Sequence, residues 1–195
     1  MSKNTIKLVF LDIFILYLST MKLNHLLLII AFIAIKPITA QEEASTVDTT
    51  QQTTVYYFIR HAEKDRSDSS NKNPDLTAMG QLRAKNWSKV FSNVDLDAVY
   101  STSYNRTEQT AAPVARSKEL ELQSYDPRDL YSAAFRAATA GKTILVVGHS
   151  NTTPAFVNTI LKEDRYPNMD DANNGALYIV TLVGDKTTVQ VLQIN

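Results

Sequence analysis

The feature of the sequence that most constrains the fold is a series of short apolar runs, each followed by a longer segment of helical character. The clearest run is TILVV at residues 143–147, and residues 55–59 and 98–101 have the same β-branched and aromatic composition. Runs of this length and composition are typical of buried strands. Because strands that alternate with helices form a largely parallel sheet covered on both faces, the sequence predicts an α/β fold. We expect a three-layer α/β/α sandwich with a mostly parallel central sheet.

The segments between the apolar runs predict the helices. Thr77 is a helix N-cap residue, and the segment that follows it predicts one buried helical face formed by Leu82, Trp87, Val90 and Phe91. Further helices are predicted at residues 106–115, 128–139 and 154–161. In the second of these, Pro113 is expected to end or kink the helix.

The remaining strands are predicted at the end of the chain and in its middle. A short strand is expected at residues 121–124. Residues 176–182 and 187–192 flank a turn at Gly184 and Asp185, and this pattern predicts a closing antiparallel hairpin.

The composition is that of one globular domain and excludes several classes of site. The chain has 195 residues, of which 44% are apolar, and this suffices for the core of one domain. Basic and acidic residues number 20 each, and beyond residue 40 the acidic residues are in slight excess, so no basic surface for nucleic acid is expected. Cysteine is absent, which excludes disulfides, thiolate metal sites and cysteine nucleophiles.

The N-terminal region has the pattern of an export signal. Residues 22–40 contain a basic start, an apolar run at 26–35 and the small residue Ala40. We expect a signal peptide at 1–40 cleaved after Ala40, with Met21 as an alternative start, and an uncleaved anchor as the alternative. Residues 41–54 are polar and predict a disordered linker, which leaves a domain at 55–195 in an exported protein, periplasmic or secreted.

Four residues that suit phosphate binding follow the predicted strands. Arg60 and His61 follow the first strand, Arg106 lies beyond the second, and His149 follows the strand at 143–147. Because ligands bind at the carboxyl ends of parallel strands, we expect these side chains to meet in one pocket. Arginine binds phosphate through its planar fork, and histidine can act as a nucleophile or as a charged donor. No acid or cysteine cluster accompanies them, so neither a metal nor a cofactor is predicted.

Three motifs resemble a known family. FIRHAEK at 58–64, YSTSYNRTEQTA at 100–111 and VVGHSNTTP at 146–154 are similar, in order, to the signature elements of the histidine phosphatase superfamily, which is phosphoglycerate mutase-like. The resemblance implies that His61 is the nucleophile that becomes phosphorylated. It also implies that Arg60, Arg106 and His149 bind the phosphoryl group.

The sequence departs from the family at the general acid. The resemblance implies a glutamate some two dozen residues beyond the second arginine, and none occurs at about that position in this chain. Asp126 and Asp129 lie nearby and are the first candidates, with Glu63 as a rival because it lies two residues from His61.

The resemblance predicts a metal-independent phosphomonoester hydrolase. Its substrate is expected to be a phosphorylated small molecule, an envelope glycan or a phosphoprotein, with no nucleic-acid partner and no membrane contact except through an uncleaved signal. The alternatives are a non-catalytic module that binds a phosphorylated ligand on the same fold, and a mutase-type phosphotransferase.

The signal interpretation predicts that the mature protein begins near Gln41 and lies outside the cytoplasm, because the apolar run at 26–35 is shorter than the roughly 20 residues of a membrane span. N-terminal sequencing of the native protein after cell fractionation measures this. An intact N-terminus on protein in the cytoplasmic fraction would contradict it.

Overall fold

Six strands and four helices follow one another along residues 52–194, which are the part of the chain that the computed structural model describes. The predicted signal and residues 41–51 of the predicted linker lie outside this range. The strands are β1 (Thr53–Arg60), β2 (Ala98–Ser101), β3 (Leu122–Ser124), β4 (Thr143–Gly148), β5 (Ala176–Val183) and β6 (Lys186–Gln193). The helices are α1 (Ala78–Val90), α2 (Asn105–Ser117), α3 (Ala133–Thr139) and α4 (Thr152–Leu161). None of these helices is long and apolar enough to cross a membrane.

The strands form one mixed sheet in the order β3-β2-β4-β1-β5-β6. The pairs β3–β2, β2–β4 and β4–β1 are parallel, whereas β5 pairs antiparallel with both β1 and β6. The α/β class, the mostly parallel sheet and the closing hairpin predicted from the sequence are therefore confirmed.

Successive side chains of the central strands point to opposite faces of the sheet, and both faces are buried. On one face, Tyr56, Phe58 and Val146 pack with Phe156 of α4, and Phe135 of α3 lies against this cluster. The opposite face is formed by core residues of β1, β2, β4 and β5 together with α1 and α2: Ile59, Val99, Leu145, Val147, Leu177, Trp87, Ala111 and Val114. The sheet therefore lies between two helical layers.

Helix α1 begins where the sequence predicts but buries a different face. The Thr77 side chain accepts a hydrogen bond from the Gly80 amide at 3.1 Å, as expected of an N-cap. Trp87 and Phe91 are buried, but Leu82 and Val90 are 51% and 38% exposed. Those two side chains line a shallow apolar groove beside Ile194 instead. The prediction was wrong for them because Gly80 and Ala84, which are small, form the contact face.

Two further boundaries differ from the predictions. The helix predicted at 128–139 begins only at Ala133, because Tyr131 adopts a left-handed conformation with φ of 55° and Ser132 then caps the helix. Strand β1 begins at Thr53, within the predicted linker, because it pairs there with β5. Pro113 does not end α2, which continues to Ser117.

Gly80 is predicted to be required for the packing of α1 against the loop that follows His61. A Cβ at this position would overlap the carbonyl oxygen of Glu63, which also accepts a hydrogen bond from the Thr77 amide. Glycine to alanine within a helix normally stabilises by roughly 0.5–1 kcal/mol. Gly80→Ala should instead lower the free energy of unfolding by about 1–3 kcal/mol, measured by urea denaturation.

Lys85→Ala provides the matched control, because Lys85 is an exposed residue of the same helix. It should change the free energy of unfolding by less than about 0.5 kcal/mol. A stabilised Gly80→Ala protein would show that α1 can move away from the loop.

Candidate active site

The parallel pairing of β1 with β4 brings the two predicted histidines together. Arg60, the last residue of β1, is paired with Gly148, the last residue of β4, and the next residue of each strand is a histidine. The pairing extends one step further, since the His61 amide donates to the Gly148 carbonyl at 2.9 Å. The rings of His61 and His149 consequently lie with their centroids 5.5 Å apart.

The main chain around His61 is fixed by its neighbours. The Asn174 side-chain amide donates to the His61 carbonyl at 2.8 Å, and the Ala62 amide donates to the Thr110 hydroxyl of α2 at 2.9 Å. Thr110 in turn donates to the Arg106 carbonyl. The helix that carries Arg106 and the strand end that carries His61 are thus joined by a direct hydrogen bond.

All four residues predicted for the site line one pocket of about 440 Å³. Arg106 lies in the first turn of α2, and its Nη2 is 3.5 Å from His149 Nδ1. Its guanidinium also lies over the Tyr104 ring, at 4.4 Å from the centroid. The structure therefore brings Arg60, His61, Arg106 and His149 together, as the strand-end argument predicts.

The hydrogen bond of His61 determines which of its nitrogens can react. Nδ1 lies 2.7 Å from the Ala62 carbonyl oxygen, which can only accept, so Nδ1 carries the proton. The lone pair is then on Nε2. Burial lowers the pKa of His61 to about 3, and the charges of Arg60 and Arg106 act in the same direction. His61 is therefore neutral at physiological pH.

His149 has both ring nitrogens engaged. The Thr107 hydroxyl donates to main-chain carbonyls and so accepts from Thr102, whose oxygen must then accept from His149 Nε2 at 2.9 Å. Nδ1 accepts from Arg106. Burial, followed by the charges of Arg106, Arg60 and Lys64, lowers the pKa of His149 to about 4. His149 is thus neutral in the free protein, and a bound phosphate dianion would favour its charged form.

Arg60 is bound mainly to the loop between α4 and β5. Its side chain is only 2% exposed, and Nη1 donates to the carbonyls of Asp170, Asp171 and Asn173. Nη2 donates to the Asp171 carboxylate at 2.7 Å. Of the five N–H donors of the guanidinium, the one on Nε and one on Nη2 remain for a ligand. Most of the Arg60 donors therefore bind the loop, and its predicted contact with phosphate is limited to the other two.

Arg106 offers more unused donors than Arg60. Its Nε and Nη1 are buried and have no hydrogen-bond partner within residues 52–194. Buried donors in native proteins are nearly always paired, so donors like these point to a ligand that supplies acceptors. A phosphate group fits this requirement, since its oxygens accept the paired hydrogen bonds of a guanidinium.

None of the three predicted general acids lines this pocket. Asp126 is paired with Arg128 at 2.8 Å, and the hydrogen bonds from Arg128 hold its pKa at about 2. Asp129 lies beside Phe135, in a separate depression next to α3. Glu63 is turned towards α1, where it accepts from Arg83 Nε at 2.9 Å. Nearness along the chain suggested these carboxylates for the site but did not reveal the arginine partners of Asp126 and Glu63 or the separate position of Asp129.

Four charged or aromatic side chains that the sequence analysis did not assign also line the pocket. They are Lys64, Tyr104, Arg128 and Asp171. Asp171 accepts from Arg60 and Arg66, both at 2.7 Å, and these bonds lower its pKa, with that from Arg66 the larger influence. The strand-end argument could have found Lys64 and Tyr104, which lie within three residues of His61 and Arg106. Asp171 lies in the loop between α4 and β5 and does not directly follow a strand, so the strand-end argument could not have found it.

Within residues 52–194, histidine, aspartate and glutamate form no cluster of three or more that could hold a metal ion.

Comparison with known families identifies the first half of the described region. The sequence model of the histidine phosphatase superfamily (branch 1) matches residues 56–127. This region contains Arg60, His61 and Arg106, whereas His149 lies beyond it. A search of curated proteins finds no sequence match.

Several solved structures share the fold. A mycobacterial glucosyl-3-phosphoglycerate phosphatase superposes with a TM-score of 0.59 at 11% identity, over 74% of this chain and 100% of that chain. A variant of a phosphoserine phosphatase from Entamoeba histolytica, in complex with phosphoserine, gives 0.57 at 14% identity, over 70% and 95%. A phosphoglycerate mutase from Bacillus anthracis gives 0.56 at 12% identity, over 74% and 95%. At these identities the likeness shows the fold alone.

The family match confirms the resemblance carried by the first two sequence motifs, at 58–64 and 100–111, whereas the motif at 146–154 lies beyond the matched residues. The chain has a phosphoglycerate mutase-like α/β fold, and over residues 56–127 it matches the histidine phosphatase superfamily.

Proposed function

We propose that the protein hydrolyses phosphomonoesters through a phosphohistidine formed on His61. The observation that carries this proposal is the state of the His61 ring: Nδ1 is bound to the Ala62 carbonyl, and burial keeps the ring neutral. Nε2 takes part in no hydrogen bond within the described residues and keeps its lone pair. His149, in contrast, has both nitrogens engaged, which favours His61 as the nucleophile.

The reaction divides into two displacements. In the first, the Nε2 lone pair attacks phosphorus, the bond from phosphorus to the ester oxygen breaks, and that oxygen takes up a proton and leaves as an alcohol. In the second, water attacks phosphorus, the P–N bond breaks, and inorganic phosphate leaves with the ring neutral again. The hydrogen bond to Ala62 supports the first step, because it holds the ring while positive charge develops on it.

Cationic side chains are suited to stabilise the transferring group. The unused donors of Arg106 and the two remaining donors of Arg60 can bind the equatorial oxygens, where charge concentrates in the transition state. His149 would join them once the bound dianion favours its protonated form. Positioning and electrostatics of this kind supply most of the rate in phosphoryl transfer.

Hydrolysis is favoured over phosphoryl transfer to a second substrate because the pocket is open to water. Two of its lining side chains, Arg128 and Asp171, are 87% and 68% exposed. A mutase must protect its phosphohistidine from water, whereas a hydrolase needs water at the same place. Proteins of this fold include both phosphatases and a mutase, so the fold itself does not decide. Phosphorylated small molecules, envelope glycans and phosphoproteins are the substrate classes we consider.

His61 is predicted to be the residue that becomes phosphorylated. His61→Ala should abolish the acid-labile phosphoenzyme and reduce turnover to near background, because the covalent route is lost. His149→Ala should still be labelled, but with formation and breakdown slowed by about 10²–10³-fold, the effect typical of losing one transition-state donor. Rapid quench with labelled substrate and peptide mapping measures both.

Arg165→Ala is the matched control for this experiment, because Arg165 is an exposed residue paired with Glu163 outside the pocket. It should leave labelling and turnover unchanged. Label on His149, or an undiminished rate in His61→Ala, would reverse the two roles. A wild-type protein that binds phosphate without ever being labelled would instead be the non-catalytic binding module.

Hydrolysis is predicted to survive excess chelator, because the guanidinium groups can supply the positive charge that a metal ion would otherwise provide. Turnover of para-nitrophenyl phosphate before and after treatment with chelator measures this. Activity that is lost in chelator and restored by a divalent ion would refute the mechanism.

A further inference from the structure

The proposed first step needs a proton for the leaving oxygen. The three carboxyl groups considered in the sequence analysis are not placed or protonated to supply it. Asp126 lines an adjoining depression that shares Tyr104, Pro127 and Arg128 with the pocket, but its ion pair with Arg128 keeps its carboxyl group deprotonated. Asp129 and Glu63 line neither, and Glu63 is paired with Arg83. The groups that line the pocket are therefore the remaining candidates for the donor. The inference rests on the proposed phosphohistidine route, since it concerns the same reaction.

Most of the titratable groups in the pocket are unsuited to donate. Asp171 accepts from both Arg66 and Arg60, and these bonds lower its pKa, so it carries no proton at neutral pH. The N–H of neutral His149 is on Nε2 and faces Thr102, and the second proton, which His149 would gain when the dianion binds, is assigned to binding the phosphoryl group. Arginine cannot deprotonate in a protein.

Lys64 is a cation that lines the pocket and has no carboxylate partner among the described residues. It lies three residues beyond His61, and a bridge to Leu76 fixes its main chain. The Leu76 amide donates in turn to Gln109 of α2 at 2.8 Å. The side chain is half-buried, and no ion pair with an acid engages its ammonium group. Its three N–H donors are therefore available to a substrate.

The surroundings of Lys64 make its proton easier to release. Burial lowers the pKa of Lys64 from its ordinary value, and the positive charges of Arg106, Arg66 and Arg60 act in the same direction. Asp171 opposes this effect, and the rings of His61 and His149 facing the same pocket are neutral. A lysine among arginines is thus less stable as a cation than a lysine in water.

We propose that Lys64 is the general acid of the reaction and donates a proton from Nζ to the leaving oxygen. As His61 Nε2 attacks phosphorus, the P–O ester bond breaks and its electron pair moves to oxygen, which takes the Lys64 proton and leaves as the alcohol. Lys64 is then a neutral amine. In the second step it accepts a proton from the attacking water as the P–N bond breaks, which restores the ammonium and releases phosphate.

The test compares two substrates that differ in their need for an acid. The nitrophenolate of para-nitrophenyl phosphate is a stable anion and leaves without a proton. The alkoxide of glycerol 2-phosphate is strongly basic and needs a proton in order to leave. In the full-length protein, Lys64→Met should lower kcat/KM for glycerol 2-phosphate by about 10²-fold or more, the usual contribution of a general acid. For para-nitrophenyl phosphate the loss should stay below about tenfold. Equal losses for both substrates would overturn the proposal.

Lys64→Arg distinguishes proton transfer from positive charge. Arginine keeps the charge but cannot release a proton, so Lys64→Arg should retain turnover of para-nitrophenyl phosphate and lose turnover of glycerol 2-phosphate. Recovery of both substrates would show that Lys64 contributes charge alone. With the wild-type protein, kcat/KM for glycerol 2-phosphate should fall as the pH rises through the lowered pKa of Lys64, and this basic limb should be absent in Lys64→Met.

One control variant and one rival variant complete the design. Lys72→Met is the control, because it removes an exposed lysine that does not line the pocket, and it should change the turnover of neither substrate. Tyr104→Phe tests the rival assignment, because it keeps the ring that contacts Arg106 and His149 and removes only the hydroxyl. A selective loss of glycerol 2-phosphate in Tyr104→Phe would assign the acid to Tyr104 instead. If the wild-type protein forms no phosphoenzyme, the proposed function fails, whatever Lys64 does.

Discussion

The parallel pairing of β1 with β4 is the constraint from which the rest of the site follows. Its register places Arg60 opposite Gly148, so that the two chains leave the sheet side by side and each continues into a histidine. A shift by one residue would turn one of these side chains to the other face of the sheet. The helices add Arg106 and Thr110 to an arrangement that the strands have already determined.

Burial and charge act together in the pocket. Desolvation and neighbouring arginines both disfavour protonated imidazole, and they leave His61 and His149 neutral although they lie in a strongly cationic site. The same influences disfavour the ammonium of Lys64. The charge of a dianionic substrate would offset that of the arginines, and at His149 this would favour the protonated form. His61 must keep its lone pair for the proposed attack, so His149 is the imidazole whose protonation state we expect a bound anion to change.

The sequence predicted what depends on local pattern and on strand order. Short apolar runs located the central strands, and the ends of those strands pointed to Arg60, His61, Arg106 and His149, which the structure brings into one pocket. It could not predict contacts between segments distant along the chain, such as those of Arg60 with residues 170–173 or of Glu63 with Arg83. The buried face of α1 was misjudged for a related reason. Large apolar side chains were assumed to point inward, although Gly80 and Ala84 allow the closest approach.

The contacts that Arg60 makes with the loop before β5 are mostly to main-chain carbonyls, which every amino acid possesses. Substitutions at Asp170 or Asn173 would leave those three acceptors in place, while changing the side chains presented near the pocket mouth. The side chains of Asp170 and Asn173 nevertheless shape the loop, because Asp170 Oδ1 accepts from the Ala172 amide and Asn173 Oδ1 accepts from the Gly175 and Ala176 amides. A replacement that keeps these short side-chain turns would therefore alter the surface beside the pocket while leaving the hydrogen bonds of Arg60 intact.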